Sequence, residues 1–313
     1  PWPAFAVVGG VAVPEGQADW MVALVDLERT PDPACSESGG SELFCKQFCG
    51  AVLISPSWVL TAAHCVDDKL DKLSELRLLM GGSDLNSETP ELMTVVEKYV
   101  HEGHFVNPSF DNDIALLRLS APSSRDTASI ISTVGMTTLT NNADTINDEL
   151  ELYGYGRLAT DGAFPSALQR VRLDLQTDGV CQATYNSGLI VNYFANLMLC
   201  AFEPDAGALE PDDAGDTDPR DEEGEDACTL DSGGPLFDRG VSGRLVGVVS
   251  FGTKSNCGDP LLPSVYTQLS SFLGWIEQQA AAESPGPLQD PGLRLMVANS
   301  GTPGATRQIT VEL

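Results

Sequence analysis

From about residue 7 to residue 270, apolar positions fall in short runs broken by Gly, Pro, Asn and Asp. The clearest are Met21–Val25, Ala51–Ile54, Ile114–Leu119 and Leu245–Phe251. Runs this short, bounded by turn formers, each suit one buried strand, and their succession predicts an all-β sandwich or barrel. Helical periodicity is scarce. Its best instance is Ser270–Glu283, where Phe272, Leu273 and Ile276 recur at helical spacing, Trp275 joins their face and Ala280 to Ala282 favour helix. The Pro- and Gly-rich stretch from Ser284 to Gly292 then breaks the pattern, so residues 284–313 read as a tail outside the domain. No run reaches the ~18 apolar residues of a membrane-spanning helix.

Charge and composition narrow the functional classes. Hydrophobic residues make up 42% of the 313 and charged residues 20%, which excludes disorder of the whole chain. With 45 acidic against 17 basic residues the net charge is −28. Nucleic-acid binders need a basic footprint, so nucleic acid is excluded as a partner, whereas cationic ligands are favoured. The acids concentrate: 11 of them fall between Glu203 and Glu225, against the single Arg220. That segment cannot bury a core and predicts an exposed, solvated loop. A calcium-dependent adhesion or structural role is the sharper reading of it, but the glycine-centred pattern of a calcium loop is missing, so no metal or cofactor is expected.

The eight cysteines have none of the short paired spacings of zinc sites, and an even set of that kind predicts disulfides and an oxidising, secreted or extracytoplasmic location. The chain opens at Pro1-Trp2-Pro3 without a basic start or apolar run, so no signal peptide is expected within it. His101-Glu102-Gly103-His104 places two of the three histidines three apart, where a zinc protease helix needs four, and reads as a surface pair.

Three segments carry chemistry: Leu60-Thr-Ala-Ala-His64-Cys65, Asp111-Asn-Asp113-Ile-Ala-Leu-Leu117 and Asp231-Ser232-Gly-Gly-Pro-Leu236. Serine is a weak nucleophile that needs an adjacent base. Histidine titrates near neutral pH and can serve as that base. A buried aspartate fixes the imidazole tautomer and stabilises the imidazolium that forms. In the order His, Asp, Ser these segments resemble the chymotrypsin/trypsin family of serine peptidases. The likeness extends over residues 7–283 through Val7-Val-Gly-Gly10, Gly154-Tyr-Gly156 and Ser250-Phe-Gly252.

The resemblance implies two six-stranded antiparallel β-barrels with a C-terminal helix, and a cleft between the barrels holding His64 and Asp113 from the first and Ser232 from the second. It implies bridges Cys49–Cys65, Cys181–Cys200 and Cys228–Cys257, and leaves Cys35 and Cys45 to pair within an enlarged early loop. The family's bridge between middle and late strands is missing, its positions taken by Leu150 and Val241. The oxyanion would be held by the N–H groups of Leu230 and Ser232. Leu230 departs from the usual glycine. The substrate backbone would lie along Ser250 and Gly252, and Asp226 would form the floor of a pocket for Lys or Arg. Ser264, in place of a wall glycine, narrows that pocket and is placed to hydrogen-bond Asp226, with small residues as the alternative preference. Cleavage before Val7 would free an α-amino group to pair with Asp231, making residues 1–6 the remnant of an activation peptide, and Ala6 before the cut implies a different activating protease. A secreted, monomeric serine endopeptidase acting on protein or peptide substrates, with activity falling below pH ~7 as histidine protonates, is therefore expected. A catalytically silent binding module on the same fold is the rival.

Overall fold

The structure is a computed structural model. It describes residues 7–67, 73–85, 90–104, 110–128, 149–159, 162, 165, 167–186, 192–202, 226–239, 243–252, 257–258 and 262–281. The acidic segment 203–225, Val241, residues 1–6 and the tail 284–313 lie outside these.

Each short apolar run becomes one strand. Strands β2 (Met21–Asp26), β3 (Gln47–Ser55), β4 (Trp58–Thr61), β5 (Leu76–Met80), β6 (Glu91–Val100) and β7 (Ala115–Leu119) close a first barrel in the order β2-β3-β4-β7-β6-β5. Strands β8 (Glu149–Gly154), β9 (Gln169–Leu175), β10 (Met198–Phe202), β11 (Pro235–Asp238), β12 (Arg244–Phe251) and β13 (Ser264–Gln268) form the second, ordered β9-β10-β13-β12-β11-β8 and closed by β8 pairing with β9. A two-residue strand β1 (Val11–Ala12) adds to the edge of β9. The pairings are antiparallel throughout.

The continuous apolar runs have a physical cause: both faces of these strands are covered. Along β2, Val22 and Leu24 enter the first barrel's interior with Leu53, Val59 and Leu78, while Met21, Ala23 and Val25 face a separate cluster outside it. Along β7, Leu117 points inward and Leu116 outward to a third cluster with Val52, Leu245 and Val248. That third cluster joins strands of both barrels. Helix α4 (Leu273–Ala281) packs onto it through Ile276, just after Phe272, with Trp275 half-buried beside them. The helix is shorter than the sequence predicts because Leu269–Ser271 tighten into a 3-10 turn first, and Leu273 stays half-exposed.

The other α-helices among the described residues are shorter: α1 (Pro33–Glu37), α2 (Ala63–Val66) and α3 (Asp178–Tyr185). The disulfides join Cys35 to Cys45, Cys49 to Cys65, Cys181 to Cys200 and Cys228 to Cys257. One assignment needs correction. The register of β8 against β11 sets Leu150 opposite Asp238, not Val241. The missing bridge is thus replaced by an apolar residue facing a buried acid. No helix among the described residues is long and apolar enough to cross a membrane.

Candidate active site

His64 lies on α2, one turn of helix directly after β4, and its neighbour Cys65 ties that turn to β3 through Cys49. Asp113 immediately precedes Ile114 and β7 and is 1% exposed. The two meet closely: Asp113 Oδ2 lies 2.7 Å from His64 Nδ1, and the His64 backbone N–H donates to Oδ1 at 2.8 Å. This assigns the proton to Nδ1 and makes Nε2 the unprotonated nitrogen, the one that can act as a base. The second barrel clasps the same aspartate. The Ser250 hydroxyl on β12 donates to Oδ2 at 2.5 Å, and the Thr267 hydroxyl on β13 donates to the Asp113 carbonyl oxygen at 2.7 Å. Burial pushes the Asp113 carboxyl up. The His64 charge and the hydrogen bonds from His64 and Ser250 outweigh it and hold the group below its ordinary value.

Ser232 follows a tight turn between Cys228 and β11. Its carbonyl oxygen accepts from Gly50 N–H at 2.8 Å, which anchors the serine loop to β3 of the other barrel. Next to it Gly233 has φ 80°, and a Cβ there would stand 2.2 Å from Thr61 Oγ1 and 2.5 Å from Gly50 O, so only glycine fits. The Ser232 carbonyl oxygen is 3.7 Å from Cys65 Sγ, and that sulfur is 3.8 Å from His64 Nε2. The serine backbone and the basic edge of the imidazole are therefore bridged by one disulfide sulfur. Ser232 Oγ makes no hydrogen bond to the described residues. Nucleophile–base contacts are often long without substrate and tighten when it binds. Cys49, His64 and Cys65 crowd as metal ligands would, but both sulfurs belong to one disulfide and offer no thiolate.

Leu230 takes φ 81°, a backbone region that usually requires glycine, at a cost of about 1–2 kcal/mol for a side chain. The chain accepts that cost and keeps the glycine-like conformation. Among the described residues, neither the Leu230 N–H nor the Ser232 N–H has an acceptor within the protein. Between them the Asp231 N–H is already bonded to the Cys228 carbonyl at 3.1 Å.

Asp226 is 4% exposed, in register with Val8 through a bridge in which Val8 N–H donates to the Asp226 carbonyl at 3.2 Å. Its carboxylate accepts from Ala227 N–H at 2.7 Å and from the Ser264 hydroxyl and N–H. Burial dominates these bonds, with a small push from Asp231, and raises the group to about 8. Gly252 faces Ser264 closely, since a Cβ on it would stand 2.8 Å from Ser264 Oγ. The Ser264 hydroxymethyl thus lies between Gly252 and the Asp226 carboxylate. Asp231 is fully buried beside Gly156, whose N–H donates to Oδ1 at 2.8 Å, while Cys228 N–H donates to Oδ2 at 2.9 Å. No cationic side chain among the described residues pairs with it, and burial raises it to about 7. Val7 is fully buried among Leu150, Leu152 and Val171 of the second barrel.

Sequence reasoning missed the surroundings of the two histidines and a second role of Ser250. His104 is not on the surface: its side chain is 6% exposed, with Nδ1 3.9 Å from Asp113 Oδ1 and Nε2 3.8 Å from Asp67 Oδ2. His101 packs against the rings of Phe272 and Trp275, and burial, offset in part by Glu102, lowers its pKa. Ser250, read as a substrate-backbone residue, also holds the aspartate. Neither effect has a sequence signal, because the partners come from distant strands.

Two closed six-stranded antiparallel barrels, with an imidazole on a buried carboxylate and a serine turn beside them, define the two-barrel serine endopeptidases. A family model described as trypsin matches residues 7–276. The chain belongs to the trypsin family, and it is a serine endopeptidase. It is 32% identical to the trypsin Tyr p 3.0101 of Tyrophagus putrescentiae over 280 residues, 89% of this chain and 81% of that protein. It is 30% identical to a trypsin of Phaedon cochleariae over 74% of this chain and 78% of that one. It is 31% identical to tissue-type plasminogen activator of Rattus norvegicus over 88% of this chain and 45% of that protein.

Proposed function

We propose that this protein is a secreted endopeptidase in which Ser232 is the nucleophile, His64 the general base and Asp113 its orienter. Ser232 Oγ bonds to the scissile carbonyl carbon and its proton passes to His64 Nε2. The carbonyl oxygen takes the negative charge and is received by the N–H groups of Leu230 and Ser232. His64 returns the proton to the leaving amine, and water then hydrolyses the ester by the same path. The observation that carries this reading is the Nδ1–Asp113 contact of 2.7 Å on a carboxylate buried from water. Disulfides and family membership support the extracytoplasmic location.

Asp226 at the base of the slot between Gly252 and Ser264 supports cleavage after Lys or Arg, because a desolvated carboxylate rewards a cation. The Ser264 hydroxyl lying against Asp226 favours the slimmer lysine. Its bulk also supports the second reading, a pocket for small residues. Asp231, buried without a cationic partner among the described residues, supports a precursor completed when cleavage before Val7 supplies an α-ammonium group.

Fluorophosphonate labelling tests the core of the reading. After trimming to Val7, the protein should label at Ser232, and Ser232→Ala should abolish labelling. Asp113→Asn should lower kcat by about 10⁴. A trimmed, folded protein that neither labels nor hydrolyses matched Arg, Lys, Ala and Phe peptides would instead establish a binding module.

A further inference from the structure

The leucine at the oxyanion position needs something to hold it. At φ 81° Leu230 is drawn toward negative φ, a change that would turn its peptide and swing the N–H out of the site. Two features oppose that turn. The first is apolar: the Leu230 side chain is buried in one cluster with Cys35, Phe44, Cys45 and Tyr155. Phe44 and Tyr155 meet edge to face there, with centroids 6.0 Å apart.

The second is polar. The Thr229 carbonyl belongs to the same peptide plane as the Leu230 N–H, and it accepts from Arg157 N–H at 2.9 Å. Because that plane is rigid and trans, fixing the oxygen fixes the opposite direction of the N–H. Arg157 is held in turn: its Nη2 donates to Asp32 Oδ2 at 2.8 Å, and its Nη1 to the Gly162 carbonyl at 3.0 Å. Asp32 is the cap of α1, where Oδ1 accepts from Ala34 N–H at 2.9 Å and Cys35 N–H at 3.3 Å. Its own N–H donates to the Cys45 carbonyl at 2.8 Å. A continuous series of contacts therefore runs from the Cys35–Cys45 loop to the oxyanion peptide.

We propose that the disulfide-closed loop from Asp32 to Cys45 braces the oxyanion hole, with Asp32 and Arg157 as positioning residues that hold the Thr229–Leu230 peptide against the strain of its leucine. The proposal rests on the reading that the Leu230 and Ser232 N–H groups receive the oxyanion. A brace of this kind acts on the transition state, in which the oxyanion forms, more than on substrate binding.

Kinetics of the trimmed protein and a crystal structure of the full chain together test it. Arg157→Met should lower kcat at least tenfold with KM within twofold. Asp32→Asn keeps a capping oxygen and loses only the charge pairing. It should lower kcat by a smaller factor in the same pattern, and it serves if Arg157→Met folds poorly. In a Leu230→Gly background, Arg157→Met should cost less than threefold, because glycine holds φ 81° without strain. The crystal structure of full-length Arg157→Met should show Leu230 at negative φ. Unchanged kcat, an equal loss in the glycine background, or Leu230 retained at positive φ would each overturn the brace. If the unmutated trimmed protein is inert to fluorophosphonate and peptides, the peptidase mechanism fails. The Leu230 conformation in Arg157→Met still decides the brace in that case.

Discussion

Asp113 and Asp226 are both carboxylates removed from water, yet their surroundings send them in opposite directions. Asp113 gains an imidazole and three hydrogen bonds and is held low; Asp226 gains hydrogen bonds but, among the described residues, no cationic partner, and rises to about 8. On the proposed roles, such a divergence would keep the orienting Asp113 charged and let Asp226 ionise fully when a cation is bound. The sign follows directly. A bound cation lowers the Asp226 pKa, so binding below pH ~8 must release a proton and weakens as pH falls. The inhibition constant of benzamidine should accordingly rise at least tenfold from pH 9 to pH 6, and a flat profile would remove Asp226 from the pocket floor. Ser264→Gly should increase kcat/KM for arginine over lysine substrates by about tenfold, equivalent to ~1.4 kcal/mol of selective contact. Single residues were legible in sequence to this extent: Asp226 and Ser264 could be named as neighbours. That burial outweighs their hydrogen bonding could not, because it depends on how many atoms of other segments exclude water.

At the scale of elements, the apolar runs marked the strands well because each strand is covered on both faces. Their register was less legible. A run of buried residues with no alternation does not say which face looks inward, and the resemblance alone does not fix pairing: β11 sets Asp238 opposite Leu150. The helical stripe at Phe272 and Ile276 was plain, and its place in the cluster joining both barrels gives it a measurable weight. Ile276→Ala should lower stability by about 2–4 kcal/mol. Urea unfolding should show an earlier midpoint with unchanged slope, and a loss under ~0.5 kcal/mol would detach the helix from the core. Helix α2 is the opposite case. Its single turn has no stripe or cap of its own, and its position is held by the Cys49–Cys65 bridge and by Asp113 accepting the His64 N–H.

For the whole molecule, the site is a property of two barrels clasping each other. Ser250 and Thr267 of the second grip the aspartate of the first, and Gly50 of the first holds the serine turn of the second. Completion of the second barrel can be followed by pH. Asp231 rises in the fold from its ordinary 3.8 to about 7, so its favourable contribution is complete below pH 3.8 and is lost as pH climbs through 7. An α-ammonium group at Val7 would pull that pKa down and remove the loss. The melting temperature of the full chain should therefore fall more between pH 6 and 8.5 than that of the protein trimmed to Val7. Asp226 contributes a similar fall to both forms, and equal falls would dissociate Val7 from Asp231. The sequence alone determined the architecture and the identity of the chemical groups, since strand runs, cysteines and the segments around His64, Asp113 and Ser232 are local patterns. Only the tertiary structure decided the state of those groups. Water exclusion, the second histidine beside Asp113, the left-handed Leu230 and its support by Arg157 and Asp32 are all set by segments remote in the chain, and short-range pattern holds no record of their distance.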